Sequence, residues 1–212
     1  DLSPFEKTIH LDGDTIIAGR LDDLFDLLDT FDFVAVPDES HPARGSIEGL
    51  GGGYAALNHF NCGFYLFRKS AAVTELFDAW SDEYERFNEP HEQSALVRAL
   101  IRTPVRFMVL PKEYNLRLID KWGSFYGEAK VIHGRSYNPR RLVHKLNRRT
   151  GSKVWLPNLE IILGAEQFYW WHWLLRLFNL NLVQKACTRI DVRRPIWRNL
   201  WTIGRALLRK AV

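Results

Sequence analysis

The chain has 212 residues, of which 46% are hydrophobic and 25% charged, and its formal net charge is +4. That length and balance describe an ordinary globular domain able to bury a sizeable core, and no apolar run reaches the roughly 18 residues of a membrane span. Two cysteines, Cys62 and Cys187, give no disulfide framework, and both are expected as reduced thiols.

Taken in chain order, "KTIHLD" (7–12) alternates like a short strand, and "RLDDLFDLLDTF" (20–31) carries Leu21, Leu24, Phe25 and Leu28 at helical spacing. "DFVAVPD" (32–38) reads as a strand stopped by Pro37, and "GLGGGYAAL" (49–57) is the one flexible-looking stretch. "HFNCGFYLFRKS" (59–70) is again strand-like, after which Ser70 caps a predicted helix with Val73, Phe77, Trp80, Tyr84 and Phe87 on one face. Pro90 is expected to open a further helix, "PHEQSALVRALI", before strands at "VRFMVLP" and "AKVIHG". Strands alternating with helices imply an α/β layer with a mostly parallel sheet, which binds ligands beyond the carboxyl ends of its strands.

Asp12 and Asp14 fall at such an end, separated by Gly13 alone. Two carboxylates at this spacing present oxygens to one side of a tight turn and suit a hard divalent cation. An isolated Asp-Gly-Asp is also an ordinary turn, and what favours the metal reading is His133, at the end of another predicted strand. Asp, Asp and His make a mixed oxygen and nitrogen set that Mn2+ accepts.

The run "SPFEKTIHLDGDTIIAGRLDDLFDLL" (3–28) resembles the Asp-x-Asp region of GT-A fold nucleotide-sugar glycosyltransferases, particularly glycosyltransferase family 8. Later blocks follow in that family's order: "FNCGFYLFRKS" is similar to its Phe-Asn-x-Gly strand and "HEQSALVRAL" to its His-Asp-Gln helix start. "LPKEYNLR" resembles its Leu-Pro-x-x-Tyr/Trp-Asn segment, and "VIHGRS" its closing histidine motif. The resemblance covers roughly residues 3 to 150. It implies a GT-A fold and transfer of a hexose from a nucleotide-diphospho-sugar donor, UDP-linked, to a glycan or glycolipid acceptor, with retention of configuration. It further implies that Asp12, Asp14 and His133 hold Mn2+ or Mg2+ against the donor diphosphate. Asn61 and Gln93 then lie near the transferred sugar and the acceptor, with Gln93 facing the anomeric carbon, and Gly134 and Arg135 line the diphosphate.

There are departures from the family's pattern. Glu92 stands where many relatives have Asp before the Gln, which lengthens the arm of an expected acceptor hydrogen bond. The Lys-Pro-Trp that often closes the family's last motif is missing, and Arg135 is expected to cover the diphosphate in its place. The family's base-binding strands lie about a hundred residues ahead of the Asp-x-Asp, so the chain is expected to be an N-terminally truncated transferase. Its alternatives are a non-catalytic, membrane-associated remnant of that scaffold and a haloacid-dehalogenase-type phosphatase. The phosphatase motif calls for Thr or Val where Ile16 stands, which argues against it.

Residues 1–150 carry 19 basic and 22 acidic side chains and residues 151–212 carry 10 and 3, so the two parts hold −3 and +7 of the total of +4. The chain is accordingly expected to comprise a partial GT-A catalytic domain at 1–150 and a basic, Trp-rich helical tail at 151–212. In "RRPIWRNLWTIGRALLRK" helical spacing sets Arg194, Arg198, Arg205 and Arg209 on one stripe flanked by Trp197 and Trp201. That pattern suits an anionic membrane surface, contacted through residues 165–212. The matching location is cytoplasmic, peripheral on the inner face of the membrane. No stacking or zinc module accompanies the basic charge, so nucleic acid is not expected as a partner.

Overall fold

The computed structural model describes residues 3–38, 50, 57, 59–118, 123–136, 138–148, 151–156 and 161–164. In chain order the elements are β1 (Lys7–Leu11), β2 (Thr15–Ile17), α1 (Leu24–Thr30), β3 (Phe33–Pro37), β4 (Phe60–Arg68), α2 (Ala71–Phe87) and α3 (Gln93–Arg102). There follow β5 (Phe107–Val109), a 3-10 turn (Lys112–Tyr114), β6 (Leu116–Arg117), β7 (Gly123–Tyr126), β8 (Val131–His133), α4 (Pro139–Asn147), β9 (Ser152–Leu156) and β10 (Ile161–Gly164). The fold is mixed α/β, and the chain divides into two compact units, Asp1–Gly13 with Arg20–Asn115, and Asp14–Gly19 with Leu116–Val212.

The first unit is built on a four-stranded sheet in the order β1-β4-β3-β5. Phe33, Val34, Ala35 and Val36 of β3 are all buried, as expected of an apolar β-branched run in the middle of a sheet. The expected mostly parallel sheet is not what forms among the described residues. In this sheet β3 and β5 run parallel, whereas β4 is antiparallel to both β1 and β3, and in the second unit β6 and β8 make the other described parallel pair. Hydrophobic periodicity reports the type of an element and not its direction, and no described helix separates β3 from β4 to force a parallel crossover. The register of β3 on β4 jumps from Ala35↔Tyr65 to Val36↔Asn61, a bulge that puts Asn61 at an irregular point of the sheet.

Ser70 caps α2 as the sequence predicts, its hydroxyl accepting from the Val73 backbone N–H at 3.2 Å. The inward stripe of α2 differs from the spacing argument. Val73, Leu76 and Glu83 are buried while Tyr84 is exposed. The cause is Arg98 of α3, fully buried, which donates to Glu83 Oε2 at 2.7 Å and forks onto Glu89 at 3.1 and 2.7 Å. Helix α3 also starts at Gln93 rather than Pro90. Glu92 precedes it with no side-chain cap, while Glu89 is held by Arg98 and the Trp80 indole N–H donates to the Glu92 carbonyl at 3.1 Å.

The second unit holds two three-stranded sheets, β10-β9-β7 and β2-β8-β6. Leu116, Leu118, Phe125, Ile132, Leu142, Leu146 and Trp155 form its core. Residues 152–156 and 161–164 are strands where a helical tail was expected from 151 on. A helical reading of that tail fails at its start because Val154 and Trp155 bury in a sheet pairing with β7, and Lys153 buries with them by donating to the Leu146 carbonyl at 2.7 Å. The basic, Trp-rich segment 165–212 lies outside the described residues. No described helix is long and apolar enough to cross a membrane.

Candidate functional site

In the first unit Asp12 leaves the end of β1 exposed, its backbone N–H donating to the Gly63 carbonyl of β4 at 3.0 Å. His10, one turn of the pleat earlier, stacks on its cross-strand partner Tyr65 with ring centroids 4.4 Å apart. Its Nε2 lies 3.6 Å from Asp12 Oδ1, longer than a hydrogen bond but close enough to orient a carboxylate. Tyr65 is in turn packed against Phe33 and Trp80. Burial, with the thiol of Cys62 and the charges of Asp12 and Glu92, pushes the Tyr65 hydroxyl up to about 12, so it stays neutral near pH 7.

Asn61 is buried at the bulge. Its Oδ1 accepts from the Gly63 N–H at 3.0 Å and from Asn115 Nδ2 at 2.7 Å, and its Nδ2 donates to Asp38 Oδ2 at 3.4 Å. The next residue, Cys62, has its thiol pKa pushed up by burial first, then by the charges of Glu92, Asp12 and Asp38 and a hydrogen bond to Glu92. The carboxylates of Asp12, Asp38 and Glu92 thus act on one thiol. Gln93 opens α3 and is half-buried.

In the second unit the strand pair β2–β8 sets Thr15 opposite His133. Asp14 precedes that pair, and its carbonyl accepts from the Gly134 N–H at 2.8 Å. This brings Asp14 Oδ1 within 3.3 Å of His133 Nε2. Two ligands of one cation sit about 3 Å apart when each bond is near 2.1 Å, so the pair suits a shared divalent ion. Gly134 has φ of +119°, and a Cβ there would meet Leu118 Cβ at 2.9 Å, so the strand can turn here only at glycine. Arg135 follows, exposed.

Of the residues to which the sequence points, Asp12, Asn61, Glu92 and Gln93 lie in the first unit and Asp14, His133, Gly134 and Arg135 in the second, while His10, Asp38 and Asn115 of the first unit join them only in the structure. Asp38 had the same signal as Asp12, a carboxylate directly after an apolar strand. Asn115 lies within the segment "LPKEYNLR". Nothing in a single sequence singles out His10, whose stacking depends on the register of β4.

No protein-family model matches this sequence, and no curated protein matches it. Among solved structures the chain is similar to the galactosyltransferase LgtC in complex with donor and acceptor sugar analogues, at 15% identity and a TM-score of 0.44, over 68% of this chain and 62% of that one. It is also similar to the glycosyltransferase GlyE of Streptococcus pneumoniae TIGR4, at 15% identity and a TM-score of 0.38, over 99% of this chain and 44% of that one. The chain therefore spans less than two thirds of the length of either.

Proposed function

We propose that the chain belongs to a metal-dependent glycosyltransferase of the GT-A, family 8 type, moving a hexose from a UDP-linked donor to a glycan or glycolipid acceptor with retention of configuration. What supports the reading in the first unit is Asp12 at the end of β1, its backbone N–H on the Gly63 carbonyl of β4, with Asn61 of the same strand buried at the bulge and accepting from the Gly63 N–H. Asp14 and His133 add a carboxylate and an imidazole 3.3 Å apart in the second unit, and Asp14 is tethered to Asp12 through one glycine.

Asp12, Asp14 and His133 would hold Mn2+ or Mg2+, a donor set whose oxygens and nitrogen fit a hard or borderline cation. When bound, that cation neutralises charge building on a diphosphate leaving group. Gly134, with no side chain in the way, and the Arg135 guanidinium would line the diphosphate, the guanidinium meeting its oxygens. Asn61 would meet hydroxyls of the hexose, Glu92 a hydroxyl of the acceptor, and Gln93 the face of the anomeric carbon. A carboxamide is a poor nucleophile, so the route we favour is same-face attack, in which a departing phosphate oxygen takes the proton of the acceptor hydroxyl.

Calorimetry with Mn2+ and UDP tests this: the wild-type chain is expected to bind, and Asp12→Ala/Asp14→Ala to lose that binding. Absence of binding in the wild type would favour the non-catalytic remnant. Gln93→Ala is expected to lower turnover without abolishing it, and a Gln93-glycosyl adduct seen by mass spectrometry would overturn the same-face route. The reading extends to a membrane-surface acceptor through the basic stripe of 194–209, tested by flotation with anionic vesicles with and without residues 190–212.

A further inference from the structure

The proposed function leaves the block "LPKEYN" without a task, yet its last residue reaches the centre of the first unit. Asn115 follows the 3-10 turn, is 4% exposed, and donates through Nδ2 to Asn61 Oδ1 at 2.7 Å across 54 residues of sequence. The sense of that contact is fixed by the backbone. The Gly63 N–H can only donate, and it meets Asn61 Oδ1 at 3.0 Å, so this atom is the oxygen of the carboxamide. The Asn115 atom facing the same oxygen must then be its nitrogen. Asn61 Nδ2 is left directed at Asp38 Oδ2, 3.4 Å away, and Asp38 is itself 3% exposed.

We propose that Asn115 is a positioning residue for Asn61: its donation locks the Asn61 carboxamide in the orientation that turns Nδ2 towards Asp38, and so sets which polar atoms the site offers to the hexose. Oxygen and nitrogen of a carboxamide are nearly isosteric, and orientation is decided by partners rather than by shape. Flipped, Asn61 would set its NH2 against two donors, Gly63 N–H and Asn115 Nδ2, inside a buried site where unmatched polar groups are costly. The same lock explains why a residue from the block after β5 sits against the bulge of β4. Other buried polar groups in this unit have a packing role that accounts for them. Arg98 with Glu83 and Glu89 joins α3 to α2 and the loop after it, and Asp32 joins Arg68 to Arg106.

The inference rests on the reading of the site as one that takes a nucleotide-linked hexose. Its test is calorimetry on the full chain with Mn2+, comparing UDP with UDP-galactose and UDP-glucose. The quantity read is the ratio of UDP-hexose affinity to UDP affinity. Asn115→Asp keeps the shape and replaces the donor by an acceptor. It is expected to lower that ratio about tenfold, the effect of one misdirected buried hydrogen bond, with UDP affinity held within about twofold. A ratio equal to wild type overturns the proposal and leaves the function standing. Equal loss of UDP and UDP-hexose affinity means that Asn115 is merely structural, and also overturns it. A wild-type chain that binds neither UDP nor UDP-hexose overturns the function and this inference together. Should Asn115→Asp fail to fold, Asn115→Ser, too short to donate to Asn61 and uncharged, reads the same ratio.

Discussion

Asp32 lies just before β3 and engages two arginines at once. Its Oδ1 accepts from Arg68 Nε at 2.6 Å, and its Oδ2 from the Arg106 backbone N–H and Nε at 2.9 and 3.0 Å. The hydrogen bonds from Arg106 lead in holding its carboxyl well below the usual carboxylate range, against the opposing effect of burial. A carboxylate whose folded pKa is depressed stabilises the fold at every pH above its unfolded value, about 3.9, and that stability fades as pH falls towards the folded value. Asp32→Asn is therefore expected to cost about 1.5–3 kcal/mol at pH 7, with the gap to wild type closing below about pH 4, as read by urea unfolding at stepped pH. Gly134 is a different kind of constraint. With φ of +119° and Leu118 Cβ 2.9 Å from any added Cβ, Gly134→Ala is expected to lose more than about 1 kcal/mol of stability and to weaken Mn2+ binding beside His133. Thermal melting and calorimetry check the two halves of that statement. His10 belongs to the same scale: His10→Ala removes the imidazole stacked on Tyr65 and 3.6 Å from Asp12, and is expected to weaken Mn2+ binding while leaving the fold intact. Equal Mn2+ affinity in this variant would show that Asp12 needs no such support.

Between helices, the decisive residue is Arg98. It is fully buried, over the Phe87 ring at 4.1 Å, and bonded to Glu83 and Glu89. Removing one member of a buried ion pair leaves uncompensated charge, so Arg98→Ala is expected to cost about 3–5 kcal/mol by denaturant unfolding. The same pair explains a limit of sequence reading. Spacing rules assign charged residues to the outside of α2, so they turn Tyr84 inward and Glu83 outward, and only a buried cation on the neighbouring helix reverses the two. Local signals are more faithful. Ser70 caps α2 because its own side chain reaches Val73 N–H three residues on, a contact contained in a four-residue window. The start of α3 was displaced because its anchors, Arg98 and Trp80, lie outside such a window.

Each of the two units has a core of its own. Phe33, Leu76, Leu96 and Ala99 belong to the first, and Leu116, Ile132, Leu142 and Leu146 to the second. Leu76→Ala and Leu146→Ala, both at fully buried sites, are expected to cost about 2–5 kcal/mol each, with hydrogen exchange rising first at β3 and β4 for the one and at β8 and α4 for the other. The sequence by itself determined the alternation of strands and helices, the Asp-Gly-Asp break between β1 and β2, the Ser70 cap and the order of the family-like blocks. All of these follow from side-chain periodicity and turn chemistry within a few residues. Tertiary structure alone decided that β4 enters antiparallel between β1 and β3, that residues 152–156 and 161–164 form strands, and that Asn115 meets Asn61. Strand direction depends on which neighbour supplies the backbone hydrogen bonds, and the orientation of a buried amide depends on donors brought from 54 residues away, so neither is written in any local stretch of chain.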